Sequence, residues 1–455
     1  MWRGIAITFV NLSLVNLLAV MLFGRQLAAA DHTIGLLAQK LGEAQMQKRL
    51  LLLLELFNLA LLIRNVCAQF GRWPFGGTNI LIGGAWLGAV IFNSMDYEPY
   101  GDALIFFTGI MMLQIVLVNA TVTNNANYCG RFHVLIFGVL LGLLCVASSW
   151  HNEHSRYEYH HQFRWGGPWT NPNVFGLLMG CGLLLAIGAG AWQLGVNMFR
   201  TTTRWKFLRK QNLAAGLCIF AAFLAGRGLF HGYSRGAWAA TLGGLIYLII
   251  TTTRKNAKNA VNGVGILHHL TVRVLKCKFT ILTIGLSAGI MTSWKLAYLR
   301  QSVTLDRIFS AVDVNDFSWR NRVTAWTGAW QIIAEHPWAG LGWNQPERLY
   351  SNYYLQLGVD NSAALQMNSY LLLGATLGLP TLLCFATLCR FAFSRGNEAH
   401  SQNKHEKSTA PLTTICRGGA MVLLIGFWFD GGFFTMPVAG AFWVLLGLSY
   451  YRHQP

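Results

Sequence analysis

Apolar runs recur along the chain with polar gaps between them. Twelve stand out, near 4–24, 50–63, 79–95, 103–120, 132–149, 174–197, 212–226, 237–252, 279–297, 369–393, 418–429 and 436–450. A spanning helix needs about 20 apolar residues, with a range of about 17–25. The pattern therefore predicts an all-α, polytopic transmembrane bundle of about twelve spans forming one integral membrane domain over residues 1–455. The run at 50–63 and the pair at 418–429 and 436–450 are short. Asp430 with Gly426, Gly431 and Gly432 can break a hairpin there, or make a re-entrant element.

Two polar gaps are long, 150–173 and 298–368, and long loops usually carry function. In the second, Val323, Trp326, Trp330 and Ile333 recur at helical spacing, with Ser318 as a cap and Pro337 as a stop. This predicts an amphipathic helix that lies along the membrane surface, or else packs on the bundle.

Composition supports the membrane reading. Of 455 residues, 54% are hydrophobic and 11% charged, and the mean hydropathy is +0.40. The 35 Lys and Arg outnumber 17 Asp and Glu, a balance that in a soluble chain suggests nucleic acid. Here the basic residues cluster in alternate gaps: Arg200, Arg204, Lys206, Arg209 and Lys210 in one, Arg254, Lys255, Lys258, Arg273, Lys276 and Lys278 in another, and 390–417. With both termini cytoplasmic these gaps fall inside, as topology requires, so no nucleic-acid partner is expected. Residues 150–173 and 298–368 then lie outside. The basic segment 25–49 fits this rule poorly. A cleaved signal peptide is not expected, since 4–24 lacks a clear small-residue cleavage site. No cysteine falls in an outside loop, so no structural disulfide is expected there.

Unusual residues collect on the outer side. Ser234-Arg235-Gly236-Ala237-Trp238 opens a span, where a guanidinium beside a helix N-terminus makes an anion site or snorkels to headgroups; Arg227 lies one loop earlier. Ser318-Trp319-Arg320-Asn321-Arg322 puts two Arg at a helix start, unfavourable for its dipole unless an anion is near. Arg grips phosphate bidentately, so a diphosphate is the candidate ligand of Arg235, Arg320 and Arg322. His336 is a candidate general base or a helix C-terminal His, with Glu335 and Glu347 nearby in sequence. His151, His154, His160 and His161 suggest metal, but their spacing matches no zinc motif and no Cys joins them, so no metal or other cofactor is expected. Trp165 and Trp169 suit an interfacial belt or stacking on sugars. Asn171-Pro172-Asn173 reads as a turn entering a span. Glu55, inside a predicted span, is a candidate for coupling-ion work.

Together these motifs resemble the O-antigen ligase and polymerase superfamily of bacterial inner-membrane glycosyltransferases. Asn171-Pro172-Asn173 is similar to the family's Asn-Pro-Asn, Ser234-Arg235-Gly236 to its Ser-Arg-Gly, and Arg322–Trp326 with His336-Pro337-x-x-Gly340-x-Gly342 to its loop helix and following turn. Family ligases carry His-Asn, nine residues, then Gly-x-x-Gly/Thr/Tyr. Here the frame reads Met367-Asn368, then Gly378-Leu379-Pro380-Thr381. The presumed basic His is Met367, and a thioether takes no proton at neutral pH. A polymerase-type member, a different base, or a member without activity fits that change. The resemblance implies periplasmic polymerisation or ligation of glycan from a polyprenyl-diphosphate-linked oligosaccharide to a glycan acceptor, without metal or nucleotide sugar. Arg235, Arg320 and Arg322 would hold the diphosphate. His336, Glu335 or Glu347 would serve as base. Arg164, Asn171, Asn173, Asn344 and Asn368 would contact glycan or acceptor. The competing readings are a flippase for lipid-linked oligosaccharide, which needs a polar path through the membrane, and a non-catalytic subunit of polysaccharide assembly.

Overall fold

The structure is a computed structural model that describes residues 2–30, 36, 39–41, 43–69, 101–122, 126–150, 156–159, 162–198, 205–261, 317–343, 346, 368–394, 406–429 and 432–450. Its helices are α1 (Trp2–Ala30), α2 (Ala44–Gln69), α3 (Gly101–Val122), α4 (Ala126–Ser148), α5 (Pro172–Met198), α6 (Trp205–His231), α7 (Arg235–Val261), α8 (Phe317–Glu335), α9 (Ser369–Ser394), α10 (Glu406–Gly426) and α11 (Met436–Ser449). The predicted runs near 79–95 and 279–297 lie outside the described residues. Each of the others falls on a helix or ends in the turn that follows one. Among the described residues six helices are long and apolar enough to cross a membrane: Asn11–Ala29, Gly101–Asn119, Gly130–Ser148, Pro172–Gln193, Leu213–His231 and Ser369–Phe393. Shorter apolar helices are Pro411–Gly426 and Met436–Ser449.

Two helices are apolar on every side and accordingly sit inside. α5 packs against α4, α6, α7 and α10, and α11 against α1, α3, α9 and α10. Small residues set their spacing. Gly176 faces Ser234 and Ala237 of α7, and Gly440 faces Met21 of α1, so backbones approach closely where dispersion drives association. α2 is tied to α3 by Asn58, whose Nδ2 donates to the Phe107 carbonyl at 3.1 Å and whose Oδ1 accepts from Gln114 Nε2 at 3.1 Å. α6 instead turns Leu213, Leu217, Phe220 and Phe223 outward, each about three-fifths exposed. Such a stripe faces lipid comfortably and water badly. The chain is a helical membrane protein.

The expected all-α architecture gains one addition. Within the loop 150–173, β1 (Arg156–Tyr159) pairs antiparallel with β2 (Gln162–Trp165), and a 3₁₀ turn at Gly167–Trp169 follows. Trp169 Nε1 donates to the Leu22 carbonyl at 2.6 Å, which fastens this loop to α1. The four loop histidines lie outside the described residues.

α9 is not one straight helix. The rings of Tyr370 and Phe385 are 6.3 Å apart, whereas fifteen residues of straight helix would separate them by about 22 Å. The chain reverses at Gly378 (φ 80°, ψ 173°), a conformation essentially restricted to Gly. Pro380 adds a missing N–H just beyond. The second arm runs down α11, with Phe385 5.9 Å from Phe442 and the Leu388 carbonyl accepting from the Tyr450 hydroxyl. A methyl at Gly378 would meet the Trp338 carbonyl carbon at 2.5 Å. Gly378→Ala should lower the apparent melting temperature in detergent by several degrees, following from about 1–3 kcal/mol of backbone strain. Gly138→Ala, where a methyl meets open space, should change it little. Differential scanning fluorimetry reads both.

Candidate active site

One end of the bundle gathers the end of α6, the starts of α5, α7, α9 and α11, and the end of α10. Arg164 Nε donates to the Gly232 carbonyl at 3.1 Å and Nη2 to Asn173 Oδ1 at 3.0 Å. Trp165 stacks on His231 (4.4 Å, 21°), and the Arg227 guanidinium lies 4.9 Å from the Trp165 centroid. Asn171 Oδ1 accepts from the Asn173 N–H at 2.9 Å and caps α5. Of the residues expected as glycan contacts, Arg164 and Asn173 thus fasten the hairpin to α6 and α5, and Asn171 caps α5.

The Ser-Arg-Gly motif has a division of labour. Tyr233 takes φ 47° in the turn between α6 and α7. Ser234 is buried, and its Oγ accepts from the Ala237 N–H at 3.4 Å. A methyl at Gly236 would stand 2.9 Å from Phe429 Cβ, so glycine admits the turn after α10. Trp238 Nε1 donates to the Leu229 carbonyl at 3.1 Å and locks the bend. Arg235 is left half-buried at the first position of α7.

α8 begins at Phe317, so Ser318 stands within its first turn rather than before it, and the helix ends at Glu335 just before Pro337 as expected. Its buried face differs from the predicted one. Ala325, Ala329, Ile332 and Ile333 are buried, while Val323 and Trp330 are exposed. Close packing on α9 favours small residues, and the bulky ones move to the flank. Trp326 sits at the edge, 5.8 Å from Trp319 and 6.0 Å from Trp428. Trp428 lies 5.7 Å from Tyr370 of α9. The turn 427–429 therefore meets α7 through Phe429, and α8 and α9 through Trp428. Arg322 lies one helical turn before Trp326 on the same side and is half-buried. Arg320 is exposed, and residues two apart on a helix do not face the same way. α7 and α8 thus meet the same turn at Gly236 and Trp326, neighbours of Arg235 and Arg322 on their helices, and Arg320 lies on a different side of α8 from Arg322.

The His-Pro-x-x-Gly-x-Gly turn answers the break in α9. The N–H groups of Leu341 and Gly342 donate to the carbonyls of Ala375 and Thr376 at 2.8 and 3.0 Å, and the Leu379 N–H donates to the Pro337 carbonyl at 2.8 Å. Thr381 Oγ1 reaches back to the Leu377 carbonyl at 3.2 Å. Gly340 (φ 66°) and Gly342 (φ 97°) supply the left-handed backbone. The two motifs form one clasp. Glu335 and His336 are exposed beside it, about 21 Å along α8 from Arg322. They are not brought together with the Arg pair. Asn344, Glu347 and Met367 lie outside the described residues. Asn368 is 1% exposed, and its Oδ1 caps α9 by accepting from the Leu371 N–H at 2.8 Å. Sequence reasoning missed Trp428, Phe429 and Tyr370, which carry no motif and matter through contacts distant in sequence. Among the described residues no cluster of His, Cys, Asp and Glu is arranged to hold a metal.

Residues 220–386 match the family model described as O-Antigen ligase, which supports the O-antigen ligase superfamily and, with it, ligation or polymerisation of glycan at a membrane. The match takes in Arg235, Arg320, Arg322 and Asn368 and leaves out Arg164, Asn171 and Asn173. No curated protein matches the chain. Arg164→Leu and Asn173→Leu should each lower the melting temperature. Together they should cost less than their sum, because both remove one shared hydrogen bond. Strict additivity in that double-mutant cycle would contradict the pairing.

Proposed function

We propose that the protein is a glycosyltransferase of the bacterial inner membrane that lengthens or transfers surface glycan on the periplasmic side. The donor is a polyprenyl-diphosphate-linked oligosaccharide. Arg235, at the positive end of α7, and Arg322 hold the diphosphate. What supports this most is the turn 427–429, which touches Gly236 through Phe429 and Trp326 through Trp428. The acceptor sugar's hydroxyl oxygen attacks the anomeric carbon. The bond from that carbon to the diphosphate oxygen breaks, and the electron pair leaves with the diphosphate. Two guanidinium groups stabilise that developing charge, an interaction that strengthens in the transition state. The configuration inverts. The hydroxyl proton passes to a base. Glu335, His336 and Glu347 are the candidate bases, the first two a helix length along α8 from Arg322. Arg320 meets headgroups or solvent.

Purified protein in nanodiscs, incubated with polyprenyl-diphosphate oligosaccharide, tests this by the products. Longer or transferred glycan is expected. Movement of the lipid across the bilayer without a new linkage would instead support a flippase, and neither outcome would support a non-catalytic subunit. Arg235→Ala and Arg322→Ala should each reduce transfer by about 100-fold or more, with membrane insertion unchanged, while Arg320→Ala stays within a few-fold. Equal losses in all three would overturn the assignment.

A further inference from the structure

We infer that Trp326 and Asn368 form a saccharide subsite that takes an oxygen of the sugar next to the diphosphate; this rests on the function proposed above. Two observations carry it. The first is an excess of donors. Asn368 is almost wholly buried, its Oδ1 is occupied by the Leu371 N–H, and its Nδ2 has no partner among the described residues. Trp326 Nε1 is likewise buried without a partner among them. Three acceptors that meet the start of α9 already carry a donor. The Phe427 carbonyl accepts from the Ser369 N–H at 2.9 Å, Ser369 Oγ from the Phe433 N–H at 3.1 Å, and the Leu424 carbonyl from the Tyr370 hydroxyl. Buried polar groups are nearly always paired, and two N–H groups without a partner among the described residues suit an acceptor oxygen of a ligand.

The second observation is the wall beside them. Trp428 is half exposed, its ring lies between those of Trp326 and Tyr370, and the Phe427 carbonyl beside it accepts from the N–H of Ser369, the neighbour of Asn368. Trp319 extends the aromatic surface outward from Trp326. Ligand sites combine apolar, aromatic lining with a few placed polar groups. Indole faces suit the C–H face of a pyranose, and neutral N–H groups suit its hydroxyl or amide oxygens. Arg322 lies four residues before Trp326, about 6 Å along the helix. That is one sugar ring's reach from a diphosphate held at Arg322. The subsite therefore reads the first sugar of the donor.

The test compares binding of two lipids to protein in nanodiscs, polyprenyl diphosphate carrying an oligosaccharide and sugar-free polyprenyl diphosphate. Trp326→Phe keeps a ring and removes the N–H. Asn368→Asp keeps the cap on α9 and removes the amide donor. Each should weaken the sugar-bearing lipid about tenfold, the scale of one hydrogen bond, and leave the sugar-free lipid within about twofold. Melting of Trp326→Phe should not fall, since an unpaired buried donor is removed. Equal weakening of both lipids, or unchanged binding of the sugar-bearing one, would overturn the subsite while leaving the diphosphate grip standing. Failure of the unaltered protein to bind either lipid would remove the proposed function itself.

Discussion

A helix that turns back on itself among apolar neighbours must find new partners for its interrupted backbone groups, because little water is there to take them. The reversal of α9 at Gly378 meets this demand with another part of the chain. Pro337, Leu341 and Gly342 exchange three backbone hydrogen bonds with Ala375, Thr376 and Leu379. Neither piece satisfies its backbone alone. Forming one therefore fixes the other, and α8, which precedes the turn, is laid along the first arm of α9 with Ile333 against Gly374. The register of that packing brings Trp326 to Trp428 and sets the height of Arg322. Conformational demands of glycine at one end of α8 thus control the position of a guanidinium at the other.

Around this clasp close approach arranges the rest of the mouth. Gly236 lets the turn after α10 touch the start of α7, and Ser369 ties the start of α9 to that turn and to Phe433. The hairpin of β1 and β2 is held by Arg164 and stacked by Trp165 on α6. Aromatic rings fill the spaces between. Such surroundings exclude water, and a lower local dielectric strengthens any charge contact made there. An anionic lipid head entering this mouth meets positive groups whose carriers are already positioned.

The helices were readable because their cause is local. Apolar runs of spanning length and the stop at Pro337 can be counted along the chain. The Gly378-Leu379-Pro380 sequence signals a break, but not that the chain reverses, since that depends on a segment some forty residues earlier. The face of α8 that meets the bundle was not legible for a related reason. Bulky Val323 and Trp330 dominate the pattern, yet Ala325 and Ala329 meet the neighbour. The hairpin escaped notice because the sequence between Tyr159 and Gln162 carries no Gly or Asn to signal a turn. The resemblance offered Arg164 and Asn173 as glycan contacts; that Arg164 bonds both Asn173 and Gly232, the latter 68 residues on, lies beyond the reach of local pattern.

The central claim is that one anionic headgroup bridges α7 and α8 at the mouth that the clasp builds. A cryo-electron-microscopy reconstruction of the protein in a nanodisc with polyprenyl-diphosphate oligosaccharide addresses it directly. Diphosphate density within about 4 Å of both Arg235 and Arg322, the limit of an ion pair, is the expected result. Density at the opposite end of the bundle, or held by Arg320 with Arg322 turned away, would contradict it.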